Sequence, residues 1–143
     1  QREGRLERAE QAYREILAQQ PDAVDALNLL GALIYQQGRF QEAIACFEQV
    51  LTLQPDNPDS YNSLGVVLKG QGRAEEAANY YRQALELRPD HPEVLNNLGN
   101  VLRQLGDLPG AISAYQQALT LKPNYAEAHN NLGAALKDMG RLE

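Results

Sequence analysis

The chain repeats itself every 34 residues, and no other feature limits its fold as tightly. Pro21, Pro55, Pro89 and Pro123 stand at that interval, and so do Gly31, Gly65, Gly99 and Gly133. A second glycine series runs Gly4, Gly38, Gly72, Gly106 and Gly140, an alanine series Ala9, Ala43, Ala77 and Ala111, and an aromatic series Tyr13, Phe47, Tyr81 and Tyr115. A fixed period of this length means one supersecondary unit stacked on copies of itself, because a single unit carries an apolar face that only its neighbours can cover.

Each period reads as two amphipathic helices. In "DALNLLGALIYQQG" the residues Leu27, Leu30, Gly31 and Ile34 recur at helical spacing, and in "FQEAIACFEQVLTL" Phe40, Ala43, Phe47, Val50 and Leu51 do the same. An Asx residue with an acid three positions on opens the first helix: Asp22 with Asp25, Asp56 with Asp59, Asp90 with Glu93 and Asn124 with Glu127, close to a capping box. Pro58 and Pro92 then fall in the first turn, where a missing N–H costs nothing. The Gly38 series is expected to make the tight turn between the helices, since glycine takes positive φ without strain, and the proline series to end the second helix.

These registers resemble the tetratricopeptide repeat, or TPR. Counted from Val24, Pro58, Pro92 and Ala126, an apolar residue stands at position 7, Gly at 8 and 15, Ala at 20, an aromatic at 24 and Pro at 32. The resemblance covers the whole chain and implies an all-α fold, a right-handed solenoid of antiparallel helix pairs. Its expected divisions are a partial repeat 1–23 (a helix B), complete repeats 24–57, 58–91 and 92–125, and a partial repeat 126–143 (a helix A). The small residues at 8 and 20 should let helices A and B approach closely, and the aromatic series should bury its rings against the next repeat's helix. Departures are mild: position 4 is Leu27, Tyr61, Leu95 and His129, and Pro109-Gly110 opens one helix B.

If position 7 and its neighbours face the core, positions 2, 5, 9, 12 and 13 share the opposite, solvated face of helix A. The resemblance implies that this face lines a concave groove that binds extended peptides. Position 5 is Asn28, Asn62, Asn96 and Asn130, and position 12 is Tyr35, Lys69, Arg103 and Lys137. An amide offers an acceptor and two donors, so it can pair with the C=O and N–H of any peptide bond whatever side chain follows. Helices about 10 Å apart would match about three extended residues at ~3.3 Å each. The basic residues at position 12 would then favour acidic partners. The competing reading is that these amides bond within their own repeat or are simply copied with it.

TPR arrays of the O-GlcNAc transferase type carry a similar asparagine ladder at position 6, which here is Leu29, Ser63, Asn97 and Asn131, so only the last two match. With Asn100 at position 9 these complete the candidate peptide-binding set. The resemblance leaves two functions open: a non-catalytic scaffold for protein–protein interaction, or the substrate-recruiting array of a larger glycosyltransferase of that type. The two-carboxylate clamp of chaperone-binding TPR domains is not expected, because position 2 is Asp25, Asp59, Glu93 and Glu127.

Catalytic, cofactor and metal sites are not expected. His91 and His129 are the only histidines and lack ligand spacing; His129 stands in for the apolar or aromatic residue of its register. Cys46, the only cysteine, sits beside Phe47 with no nearby base, and a lone cysteine leans the reading toward a reducing, cytoplasmic setting. "GVVLKGQGR" lacks the lysine of a phosphate loop, since Gln71 follows Gly70. A net charge of −6 argues against nucleic acid and anionic lipid, and no apolar run approaches the roughly 20 residues of a bilayer span. The chain opens on Gln1 and stops at Glu143 within the pattern, which reads as a piece of something longer. Its end helices each lack a partner, so apolar faces around Leu6, Ala9 and Tyr13, and around Leu132, Ala135 and Leu136, should invite association between copies.

Overall fold

The computed structural model describes residues 1–141 as eight helices: α1 (Arg2–Gln19), α2 (Val24–Gln36), α3 (Phe40–Leu53), α4 (Pro58–Gly70), α5 (Ala74–Leu87), α6 (Pro92–Gln104), α7 (Leu108–Leu121) and α8 (Ala126–Gly140). No strand occurs among the described residues. Helices α2, α4, α6 and α8 are the A helices, and α1, α3, α5 and α7 the B helices. Each helix packs on the next in sequence, and each A helix also touches the following A helix. No B helix approaches another B helix in the same way, so the stack curves with its A helices on the inner side.

The turn between A and B is built alike three times. Gly38, Gly72 and Gly106 take φ of 75°, 78° and 88°. In the first, Gly38 N–H donates to the Tyr35 carbonyl at 2.9 Å and Arg39 N–H to the Ile34 carbonyl at 3.2 Å, the paired bonds of a Schellman motif. Gly4 lies inside α1 instead, and nothing turns there. At the other end of each B helix, Gln20, Gln54, Arg88 and Lys122 are extended, with φ between −134° and −143°, as the proline that follows each of them requires.

The expected capping boxes do not form. The residue that caps α2 is Ala23, and that of α8 is Tyr125, neither with a side-chain bond. Asn57 caps α4 through Ser60 N–H at 3.2 Å, and His91 Nδ1 caps α6 through Val94 N–H at 3.4 Å. Proline at the first helical position makes its predecessor the cap, which moves Asp56 and Asp90 one residue outside. The acids at repeat position 2 remain in the first turn, where the helix dipole favours them.

The core is a stack of small residues and rings. Ala43, Ala77 and Ala111 are fully buried, as are Tyr81 and Tyr115. Each ring lies over the glycine of its own repeat and also shares a buried cluster with the next repeat's helix A, Phe47 with Leu64 and Val67 and Tyr81 with Val94 and Val101. A Cβ built on Gly31 would stand 2.8 Å from Phe47 Cε1, and on Gly65 or Gly99 it would stand 2.5 Å from Cε1 of Tyr81 or Tyr115. Glycine is therefore required there for close approach, and the aromatic takes the volume that a side chain would have filled.

Candidate functional site

The inner face is organised by one offset. Neighbouring A helices meet through residues 35 apart, one more than the repeat, so position 5 of one helix faces position 6 of the next. Asn97 Nδ2 donates to Asn62 Oδ1 at 3.2 Å, and Asn131 Nδ2 donates to Asn96 Oδ1 at 3.0 Å. These two amide–amide bonds therefore join neighbouring repeats. By the same offset Arg103 Nε donates to Asp138 Oδ2 at 2.7 Å, and the Tyr35 ring lies 3.3 Å from where Gly70 would carry a Cβ. Asn28 faces Ser63, and no bond joins them.

Solvation of the inner face is uneven. Asn96 is 1% exposed, against the expectation that all four position-5 amides are solvated. Asn131, whose Nδ2 bonds the Asn96 Oδ1, lies against it. Asn28, Asn62, Asn97, Asn100 and Asn131 are half-buried, and Asn130 is exposed. In the Asn62–Asn97 pair one N–H of Asn97 is spent on the Asn62 carbonyl, so both N–H groups of Asn62, the second N–H of Asn97 and the Asn97 carbonyl remain for the groove.

The basic residues at position 12 are not equivalent either. Arg103 is held by Asp138, whose carboxyl is pushed below its ordinary range by that guanidinium. Tyr35 packs on Phe40 with ring centroids 5.7 Å apart. Lys69 and Lys137 make no ion pair among the described residues and are the cations left to the groove. At the opposite ends of the A helices the acids Asp25, Asp59, Glu93 and Glu127 are exposed, so the inner face is negative along one margin and positive along the other.

Asn100 serves the core as well. Tyr115 Oη donates to Asn100 Oδ1 at 2.6 Å, and burial pushes the Tyr115 hydroxyl pKa up to about 12. Tyr81 has Val66 at that register, and its buried hydroxyl has no partner, like the hydroxyl of Ser60. Position 4 has a local role: Tyr61 Oη donates to the Pro55 carbonyl at 3.1 Å, and His129 Nε2 lies 2.7 Å from the Pro123 carbonyl, in the place of that tyrosine hydroxyl. Burial raises the pKa of the Cys46 thiol, which suits packing and not nucleophilic attack. Among the described residues no cluster of His, Cys, Asp and Glu is placed to hold a metal ion, and no helix is long and apolar enough to cross a membrane.

The class that this curved stack of helix pairs defines is the one its registers resemble. Family models described as tetratricopeptide repeat match residues 22–90 and 80–113, and one described as TPR repeat matches residues 99–140. The chain belongs to the tetratricopeptide repeat family. The crystal structure of MamA is similar, with a TM-score of 0.86 at 25% identity over 96% of this chain and 81% of that one. YrrB, described as a TPR protein with an unusual peptide-binding site, gives 0.76 at 27% identity over 96% of this chain and 71% of that one. The first TPR of Spaghetti (RPAP3), solved with an HSP90 peptide, shares the fold with a TM-score of 0.79 at 23% identity, over 82% of this chain and 93% of that one. No curated protein matches the chain.

Proposed function

We propose that this chain is a non-catalytic scaffold that holds an extended segment of a partner protein along the inner face of its A helices. The observation that carries the reading is the amide pair Asn62–Asn97, half-buried on that face with donors and an acceptor unspent. Such a pair can bond a peptide backbone without selecting its side chains. Charge adds selection: Lys69 and Lys137 favour acidic residues along one margin, and the position-2 acids favour basic residues along the other. The likeness to YrrB, a TPR protein with a peptide-binding site, supports the same class of ligand.

A peptide array probed with the wild type and with the double variant Asn62→Ala/Asn97→Ala tests this. Removing both members leaves neither amide unpaired, so folding is expected to survive and the loss reports on binding. The expected result is a set of bound peptides whose signal falls with the double variant. An empty array, or one indifferent to the change, would sink the proposal.

A further inference from the structure

A small hollow opens on the inner face between α2 and α4. It has a volume of about 120 Å³ and is walled by Ala32 and Tyr35 of α2, Phe47 of α3, and Asn62, Ser63 and Val66 of α4, mostly through apolar atoms. Each of these helices has a neighbour before and after it, so the hollow is interior to the stack. The sequence accounts for the space. In α6 and α7 the same two registers hold Asn100 and Tyr115, whose side chains bond each other there. In α2 and α3 they hold Ala32 and Phe47, which bring neither amide nor hydroxyl. Ser63 completes the opening, since Asn97 and Asn131 at its register reach across to the helix before.

We propose that this hollow receives one aliphatic side chain, of leucine or isoleucine size, from the segment held on the inner face, and that Lys69 takes an acidic side chain next to it. This subsite rests on the peptide-binding reading above and supplies the side-chain selection that paired amides lack. Volume sets the size: an apolar cavity of about 150 Å³ holds a benzene ring, and small-molecule pockets begin near roughly 300 Å³. A hollow of about 120 Å³ therefore suits a branched aliphatic group and not a ring. Lys69 is half-buried one turn along α4 from Val66 and makes no ion pair among the described residues, so a free cation stands beside the apolar hole. Asn62 joins the two modes of recognition. Its N–H groups are unspent and it lines the hollow, so it can hold the backbone carbonyl of the residue whose side chain enters.

A randomised peptide library captured on the wild type and on Ala32→Leu tests the subsite. Ala32 is exposed on its helix, so leucine there should keep the fold and fill the hollow. The wild-type pool should be enriched in Leu, Ile or Val at one position beside Asp or Glu. Exchanging that aliphatic residue for Ala in a selected peptide should weaken binding to the wild type about tenfold or more, and to Ala32→Leu less than about twofold. Phe47→Tyr restores the ring found at Tyr13, Tyr81 and Tyr115, should shrink the difference in the same direction, and covers the case in which Ala32→Leu misfolds. Lys69→Gln should remove the acidic preference and leave the aliphatic one. A pool that binds without aliphatic preference, or a preference that survives both fillings of the hollow, overturns the subsite and leaves the scaffold reading standing. An acidic preference untouched by Lys69→Gln overturns the role of Lys69, and an empty pool overturns subsite and scaffold together.

Discussion

Tyr115 donates its hydroxyl proton to Asn100 at 2.6 Å, while Tyr81, its counterpart one repeat earlier, is buried above Val66 with no acceptor. The same ring in the same register therefore has opposite polar bookkeeping in two neighbouring repeats. Tyr115→Phe is predicted to cost about 1 kcal/mol, the net worth of a hydrogen bond, whereas Tyr81→Phe should be neutral or stabilising because it removes an unsatisfied buried hydroxyl. In a Val66→Asn background Tyr81 gains an acceptor, and the effect of Tyr81→Phe should turn destabilising. Urea unfolding of the double-mutant cycle checks the sign.

The glycines at position 8 divide by what faces them. Gly65→Ala puts a Cβ 2.5 Å from a fully buried ring, and an overpacked core site of this kind is expected to lose about 1–3 kcal/mol. Gly133→Ala meets nothing and should gain about 0.5–1 kcal/mol from helix propensity. Denaturation of both variants at low protein concentration would contradict the packing account if the two changes moved stability in the same direction.

Arg39 ties the first helix to the stack. Its guanidinium reaches Glu10 of α1 at 2.8 Å and Glu42 of α3 at 2.6 Å. Arg73 pairs only with Glu76, because Ile44 stands where a second carboxylate would have to be. Hydrogen bonds from Arg39 hold both Glu10 and Glu42 below the ordinary value of 4.5. A carboxylate depressed in the folded state contributes stability that is present above its unfolded value and lost as pH falls through its folded one. Thermal melts of the wild type and Arg39→Gln should therefore differ near neutral pH and converge as the pH falls below the ordinary carboxylate range. A difference that stays constant with pH would assign the effect of Arg39 to packing.

Most of the architecture was legible in the sequence because its determinants are local. The turn glycines, the proline stops and the apolar spacing each act within one helix or its ends, and a period repeats them. What was not legible depends on neighbours. The capping boxes do not form because all four A helices begin two residues after the Asx residue, with proline at the first position in α4 and α6 and without it in α2 and α8. The burial of Asn96, the pairing of Asn62 with Asn97 and the capture of Arg103 by Asp138 all cross between repeats. Periodicity within one helix assigns a face but does not say which side chains meet across it. The 35-residue offset could have been found by pairing position 5 with position 6, where asparagines recur together in the later repeats and not at Asn28 and Ser63.

The central claim is that the inner face reads peptide backbone through paired amides, and side-chain NH2 resonances report on it most directly. An array-selected peptide titrated into labelled protein is predicted to shift the Asn62 and Asn97 side-chain signals together with backbone signals on α4 and α6, leaving the outer faces of α3, α5 and α7 unmoved. Shifts confined to those outer faces, or a bound peptide that leaves both asparagines unchanged, would contradict it.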